Sequence, residues 1–181
     1  MKLRLWLERL TNQRMNTSSD TALAEALDSA LSVATADCAN LQLVHRSRRG
    51  LELKAQRGFG QPFLDFFAFV NDGRTACGRA LREHRPVVVQ DITTSPIFLG
   101  TEALEVMLDA GIRAVTSTPL IDDSGEILGV LSVHYRQPHP HMASGLIRLQ
   151  TLATAVAGLI EGCRPMEPSP SAVSLSLVAS K

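Results

Sequence analysis

The chain has no surplus of charge: 18 Lys and Arg stand against 18 Asp and Glu across 181 residues. A phosphate-binding surface registers as a basic excess, so this balance removes the electrostatic argument for a nucleic-acid partner. One local cluster, His45-Arg46-Ser47-Arg48-Arg49, falls between two predicted strands and reads as a solvated turn. Cysteine is scarce as well. Cys38, Cys77 and Cys163 are odd in number, widely spaced and form no Cys-x-x-Cys pair. Neither a zinc knuckle nor a secreted disulfide framework is supported, and a reducing compartment fits best. No uninterrupted apolar run approaches the ~18–20 residues of a membrane span. Lys2 and Arg4 lead into no signal-peptide core, because Trp6, Glu8 and Arg9 interrupt it. The expectation is a soluble cytoplasmic protein with no membrane partner. Phosphate-loop, nucleophile-elbow and zinc-helix motifs are also missing, so no enzyme is expected.

What the chain does have is a long double run, Ala110 to His139. Two apolar segments are joined there by Asp122-Asp123-Ser124-Gly125, which predicts a β-hairpin with a short polar turn. Both strands carry polar residues where a purely structural hairpin prefers apolar ones. Thr116, Ser117 and Thr118 interrupt the first strand, and Ser132 and His134 the second.

The remaining pattern is mixed. Leu3, Trp6, Leu7 and Leu10 form a short amphipathic segment within residues 1–19. Asp20 or a neighbouring serine caps a helix whose apolar face is Leu23, Ala26, Leu27, Ala30, Leu31 and Ala34. Strands follow at Cys38–Val44 and Leu51–Arg57, then a helix started by Pro62 and running through Phe69. A helix over Arg74–Glu83, a strand over Pro86–Gln90, a loop from Asp91 to Gly100 and a helix over Thr101–Ala110 precede the hairpin. Gly111 supplies a left-handed stop for the last of these. A final helix spans Met142–Gly162, and residues 163–181 form a Pro- and Ser-rich tail expected to be disordered. Hairpins separated by helices predict an α+β domain over residues 20–162, with the terminal helices on one sheet face.

The segments Asn40-Leu41-Gln42-Leu43, Gln56-Arg57-Gly58-Phe59, Phe63-Leu64-Asp65-Phe66-Phe67, Cys77-Gly78-Arg79-Ala80-Leu81, Val87-Val88-Val89-Gln90-Asp91 and Ser117-Thr118-Pro119-Leu120, in this order, resemble GAF domains. They resemble in particular those of bacterial two-component sensors. The resemblance implies an α/β/α sandwich with a central antiparallel sheet of five or six strands. It also implies a sensory function, with a small-molecule pocket on the face that loops cover.

Alternation sets Asn40 and Gln42 opposite Leu41 and Leu43, and Ser132 and His134 opposite Leu131, Val133 and Tyr135. A buried unpaired polar group costs ~1–3 kcal/mol, so the polar set needs water, loop backbone or a ligand. Satisfaction by overlying loops and binding of a ligand both remain open. On the ligand reading, Asn40, Gln42, Ser117, Ser132 and His134 form the floor. Phe66, Phe67, Cys77, Asp91, Phe98 and Leu108 form the far wall, with the strand containing Thr116 and Thr118.

Cys77 carries the main alternative chemistry. With Asp72 or Thr75 as helix cap, its thiol lies in a first turn beside Arg74 and Arg79, where thiolate is favoured. The competing reading is a small buried packing residue. GAF proteins that reduce free methionine sulfoxide resemble the chain near Cys77, but their catalytic cysteine lies in a later loop, where this chain has Ser95–Thr101. Phytochrome-like bilin attachment needs a Cys-His pair where Glu102-Ala103 stand, which disfavours a covalent bilin; no other cofactor is identified. His134, His139 and His141 lack acidic or thiol neighbours, and no metal site is assigned. The sequence is therefore compatible with three functions. The first is a ligand sensor signalling through its terminal helices, as a homodimer, to a histidine kinase or another output protein. The second is a thiol redox sensor or reductase using Cys77, and the third a ligand-free dimerisation module.

Overall fold

The computed structural model describes residues 19–140 and 143–162. The N-terminal segment with Leu3, Trp6, Leu7 and Leu10, the tail after Gly162, Cys163 and His141 lie outside the described residues. Among these residues the elements are α1 (Ser19–Ala34), β1 (Cys38–His45), β2 (Gly50–Arg57), α2 (Gln61–Phe67), β3 (Phe69–Val70), α3 (Ala76–Glu83), β4 (Val87–Val89), α4 (Glu102–Asp109), β5 (Ala114–Ile121), β6 (Ile127–Tyr135) and α5 (Ala143–Gly162). The strands form one six-stranded sheet in the order β3-β2-β1-β6-β5-β4, antiparallel at every pairing.

Two elements depart from the sequence expectation. The helix after Pro62 stops at Phe67, and Phe69-Val70 pair with Glu52 and Leu51 as the edge strand β3. A two-residue strand has no periodicity to read. In β2, Lys54 is an extra residue between Ala55, which faces Leu41, and Leu53, which faces Gln42. Such a bulge cannot be read from alternation alone.

The two sheet faces are buried by different layers. Leu41, Leu131, Val133 and Tyr135 meet Ala26, Leu27 and Ala30 of α1 and Leu149, Leu152, Ala153 and Val156 of α5. The opposite face meets Phe63 and Phe67 of α2, Ala76, Cys77 and Ala80 of α3, Ala103 and Met107 of α4, and Ile92 and Phe98 of the β4–α4 loop. The result is an α+β sandwich with helices on both faces. α5 is long and apolar enough to cross a membrane by length and composition. One of its stripes is spent on the sheet, while Ile147 on the same helix is 62% exposed.

Local chemistry fixes the loops that frame the second face. Asp122 Oδ1 accepts from the backbone N–H groups of Ser124 and Glu126 and from the Ser124 hydroxyl, which closes the β5–β6 turn. Thr75 caps α3 by accepting from the Gly78 N–H at 3.1 Å, while Asp72 turns to the Arg74 N–H. Gly78 itself is demanded by packing: a Cβ there would lie 1.8 Å from the Asp72 carbonyl oxygen.

Candidate functional site

β1, β6 and β5 lie side by side, so their polar positions gather on one face. Ser117 and Ser132 are directly opposed in the β5–β6 register, and their hydroxyl oxygens are 2.8 Å apart. Asn40 faces Ser132 across β1–β6 and reaches diagonally to His134, with Asn40 Oδ1 2.9 Å from His134 Nε2. An amide oxygen only accepts, so Nε2 carries the imidazole proton and Nδ1 is a bare acceptor. That Nδ1 is buried without a partner. Burial alone holds the His134 pKa down to about 3, so the ring is neutral at any physiological pH. Gln42 donates from Nε2 to the Phe67 carbonyl at 3.1 Å, tying the end of α2 to the sheet, and its Oε1 is left buried and unpartnered.

The floor is roofed by aromatic rings. Phe59 and Phe63 stack at 3.7 Å, Phe63 and Phe67 follow at 4.4 Å, and both Phe59 and Phe63 stand edge-on to His134. The space between floor and roof is bounded by Asn40, Ser117, Ser132, His134, Phe63, Phe67, Thr75, Ala76, Cys77, Phe98, Met107 and Val115. About 10 Å³ is open to the centre of a water molecule. That is close to the lower limit for holding one water. The floor expected to need outside partners thus satisfies itself to a large extent, one side chain against another and Gln42 against loop backbone.

Among the sequence-predicted site residues, Asn40, Phe67, Cys77, Phe98, Ser117, Ser132 and His134 border this cavity together. Four do not. Leu108 is 40% exposed, because residues one turn apart share a helix face and α4 turns Ala103 and Met107 inward instead. Phe66 fails for the same reason: Phe63 and Phe67, four residues apart, are the inward pair of α2, and Phe66 packs against the Phe67 ring from outside. Asp91 is turned to the loop, accepting from the Thr93 hydroxyl at 2.7 Å and pairing with Arg113 at 2.9 Å. Those contacts hold its carboxyl below the usual carboxylate range. Gln42 stands on the floor's face but beyond the cavity. Strand alternation also corrects the far wall. Only Ser117 of the Thr116-Ser117-Thr118 run faces the cavity, while Thr116 and Thr118 share the face of Ala114 and Leu120 in the helix-covered core. Phe63, Thr75, Ala76, Met107 and Val115 were missed; the one-turn spacing in Phe63…Phe67 and Ala103…Met107 was the signal that could have found Phe63 and Met107.

For Cys77 the structure fits the packing reading rather than the activated thiol. Its thiol is buried beside the Thr75 hydroxyl at 3.4 Å, and desolvation raises its pKa despite the helix start next to it. Burial likewise raises the thiol of Cys38. His139 stacks on Tyr135 at 3.9 Å, on a residue whose side chain belongs to the helix-covered face opposite His134. Among the described residues, no group of three or more His, Cys, Asp or Glu is placed so that it could hold a metal ion.

Comparison with solved structures places the fold. A domain of a sensor histidine kinase from Sinorhizobium meliloti superposes with a TM-score of 0.68 at 18% identity, covering 81% of this chain and 93% of that one. The GAF domain of a phosphoenolpyruvate-protein phosphotransferase from Coxiella burnetii gives 0.69 at 18% identity, over 86% and 90%. A free methionine-R-sulfoxide reductase from Neisseria meningitidis, in complex with its substrate, gives 0.64 at 19% identity, over 86% of both chains. No curated protein matches the chain. The GAF-domain family model matches residues 18–161, nearly the whole of the sheet and its covering helices, and the chain therefore belongs to the GAF domain family.

Proposed function

We propose that this GAF domain, from a family of sensory and regulatory modules, binds a small molecule non-covalently between the sheet and α2, and signals through α1 and α5. The observation that carries this reading is His134: a neutral, buried imidazole at the cavity with an unpartnered Nδ1. A buried acceptor left unmade is costly, and a ligand that satisfies it regains that cost on binding. The cavity has room for about one water, so a larger ligand enters by displacing the Phe59–Phe63 stack with α2. β5 offers the route outward, since Ser117 borders the cavity while Thr116 and Thr118 lie on the face covered by α5.

The output lies in a partner, a histidine kinase in the first instance, and the exposed side of α5 around Ile147 serves a homodimer in the cytoplasm. The sensory reading is preferred to thiol chemistry because burial raises both Cys38 and Cys77, the reverse of what an activated nucleophile needs. A metabolite panel screened by thermal melting tests the proposal. Binding at this site raises the melting temperature of the wild type but not of His134→Leu. A panel that shifts neither protein, or shifts both equally, refutes it.

A further inference from the structure

Resting on the ligand-sensor reading, we infer that the site selects an uncharged, planar ring bearing an N–H donor, an aromatic amide or azole, and rejects carboxylates, phosphates and organic cations of the same size.

All twelve residues bordering the cavity are neutral side chains: four aromatic rings counting His134, four aliphatic or sulfur-bearing groups, and four hydroxyl or amide groups. No charged group acts on His134, whose pKa is displaced by burial alone. Burial is what chiefly raises the Cys77 thiol, and the Asp72 carboxylate adds a small push in the same direction, which is unfavourable to an incoming anion. At the start of α3 part of the anion-binding capacity is already used: Thr75 accepts from the Gly78 N–H, and the Asp72 carbonyl sits against Gly78. An ion placed here loses its hydration and gains no counter-charge.

Shape and hydrogen bonding narrow the class further. The space a ligand takes is that of the Phe63 ring, stacked on Phe59 at 3.7 Å and edge-on to His134 at 5.7 Å, which favours a flat ring in its place. With the Nε2 proton committed to Asn40, His134 presents Nδ1 as an acceptor, so the complement is a donor. The roof is built to yield. α2 has only seven residues, its N-cap Gly60 supplies no side-chain cap, and Gly58 before it has φ of 89°.

Benzamide, benzoate and benzamidinium share one shape and differ in charge, so they separate the possibilities. The full chain, labelled with ¹⁵N-histidine, is titrated with each at neutral pH, following the His134 Nδ1 resonance. The inference expects benzamide to move that resonance upfield as its N–H is accepted, with an affinity at least tenfold above either ion, and Asn40→Leu to weaken it. Equal or tighter binding of benzoate or benzamidinium at His134 overturns the charge selection while leaving the pocket standing. No response of His134 to any of the three at millimolar concentration overturns both the selection and the pocket.

Discussion

Asn40 Oδ1 and His134 Nε2 are 2.9 Å apart, joining β1 to β6 diagonally, one step off the rung on which Asn40 faces Ser132. This bond settles the tautomer of a fully buried imidazole and, with it, the polarity of the cavity. It also makes the fold acid-sensitive in a defined window. The unfolded His134 takes up a proton near 6.5 and the folded one only near 3. Between those values the unfolded chain binds the extra proton, so stability is complete above about pH 6.5 and declines as the pH falls toward 3. The loss is of the order of 5 kcal/mol across the window. Denaturant unfolding of wild type and His134→Gln from neutral to acid pH checks it. The variant should lose most of the slope between about pH 6.5 and 4.5. The lowered carboxyls of Glu52 and Asp91 act in both proteins and cancel.

Ser117 and Ser132 form a pair that is costly to halve. Ser132→Ala leaves the Ser117 hydroxyl buried without its 2.8 Å partner and should destabilise by about 1–2 kcal/mol. The double variant Ser117→Ala/Ser132→Ala should cost less than the sum of the two single changes, because no unmatched hydroxyl remains. A double-mutant cycle by urea unfolding gives the coupling directly.

Two glycines make opposite predictions for the same added methyl group. In Gly78→Ala the new Cβ meets the Asp72 carbonyl at 1.8 Å, so the start of α3 must shift, at a cost of about 3 kcal/mol. In Gly158→Ala the Cβ meets nothing within 4 Å on an exposed turn of α5. Helix propensity then stabilises the protein by about 0.5–1 kcal/mol. Melting temperatures of the two variants should move in opposite directions.

The buried thiols should be unreactive. Cys38 and Cys77 are both enclosed, with thiol pKa values raised by desolvation. Under native conditions, iodoacetamide labelling read by peptide mass spectrometry should modify them only as fast as the protein opens, and fully in denaturant. Rapid native alkylation of Cys77 would revive a redox function.

The hairpin, the terminal helices and both sheet faces were legible because their signals are long: eight- and nine-residue strands and helices with sustained apolar stripes. Asn40, Ser132 and His134 were legible from strand alternation, which leaves no choice of face. The roof was harder. Adjacent phenylalanines at 66 and 67 look equivalent in a string, yet α2 buries Phe63 with Phe67 and leaves Phe66 half-buried at the edge of the cluster. Met107 and Leu108 divide in the same way, as do Ser117 and its two threonine neighbours. That the polar floor bonds to itself depends on a pairing between strands 94 residues apart, and no local pattern encodes it.

The central claim is that the His134 floor is a binding surface, and native mass spectrometry of the freshly purified full chain tests it most directly. The account predicts a non-covalent mass adduct of one small molecule per chain, retained by the wild type and lost in both Asn40→Leu and His134→Leu. Bare chains from all three proteins, with no compound in a metabolite extract able to add mass to the wild type, would contradict it.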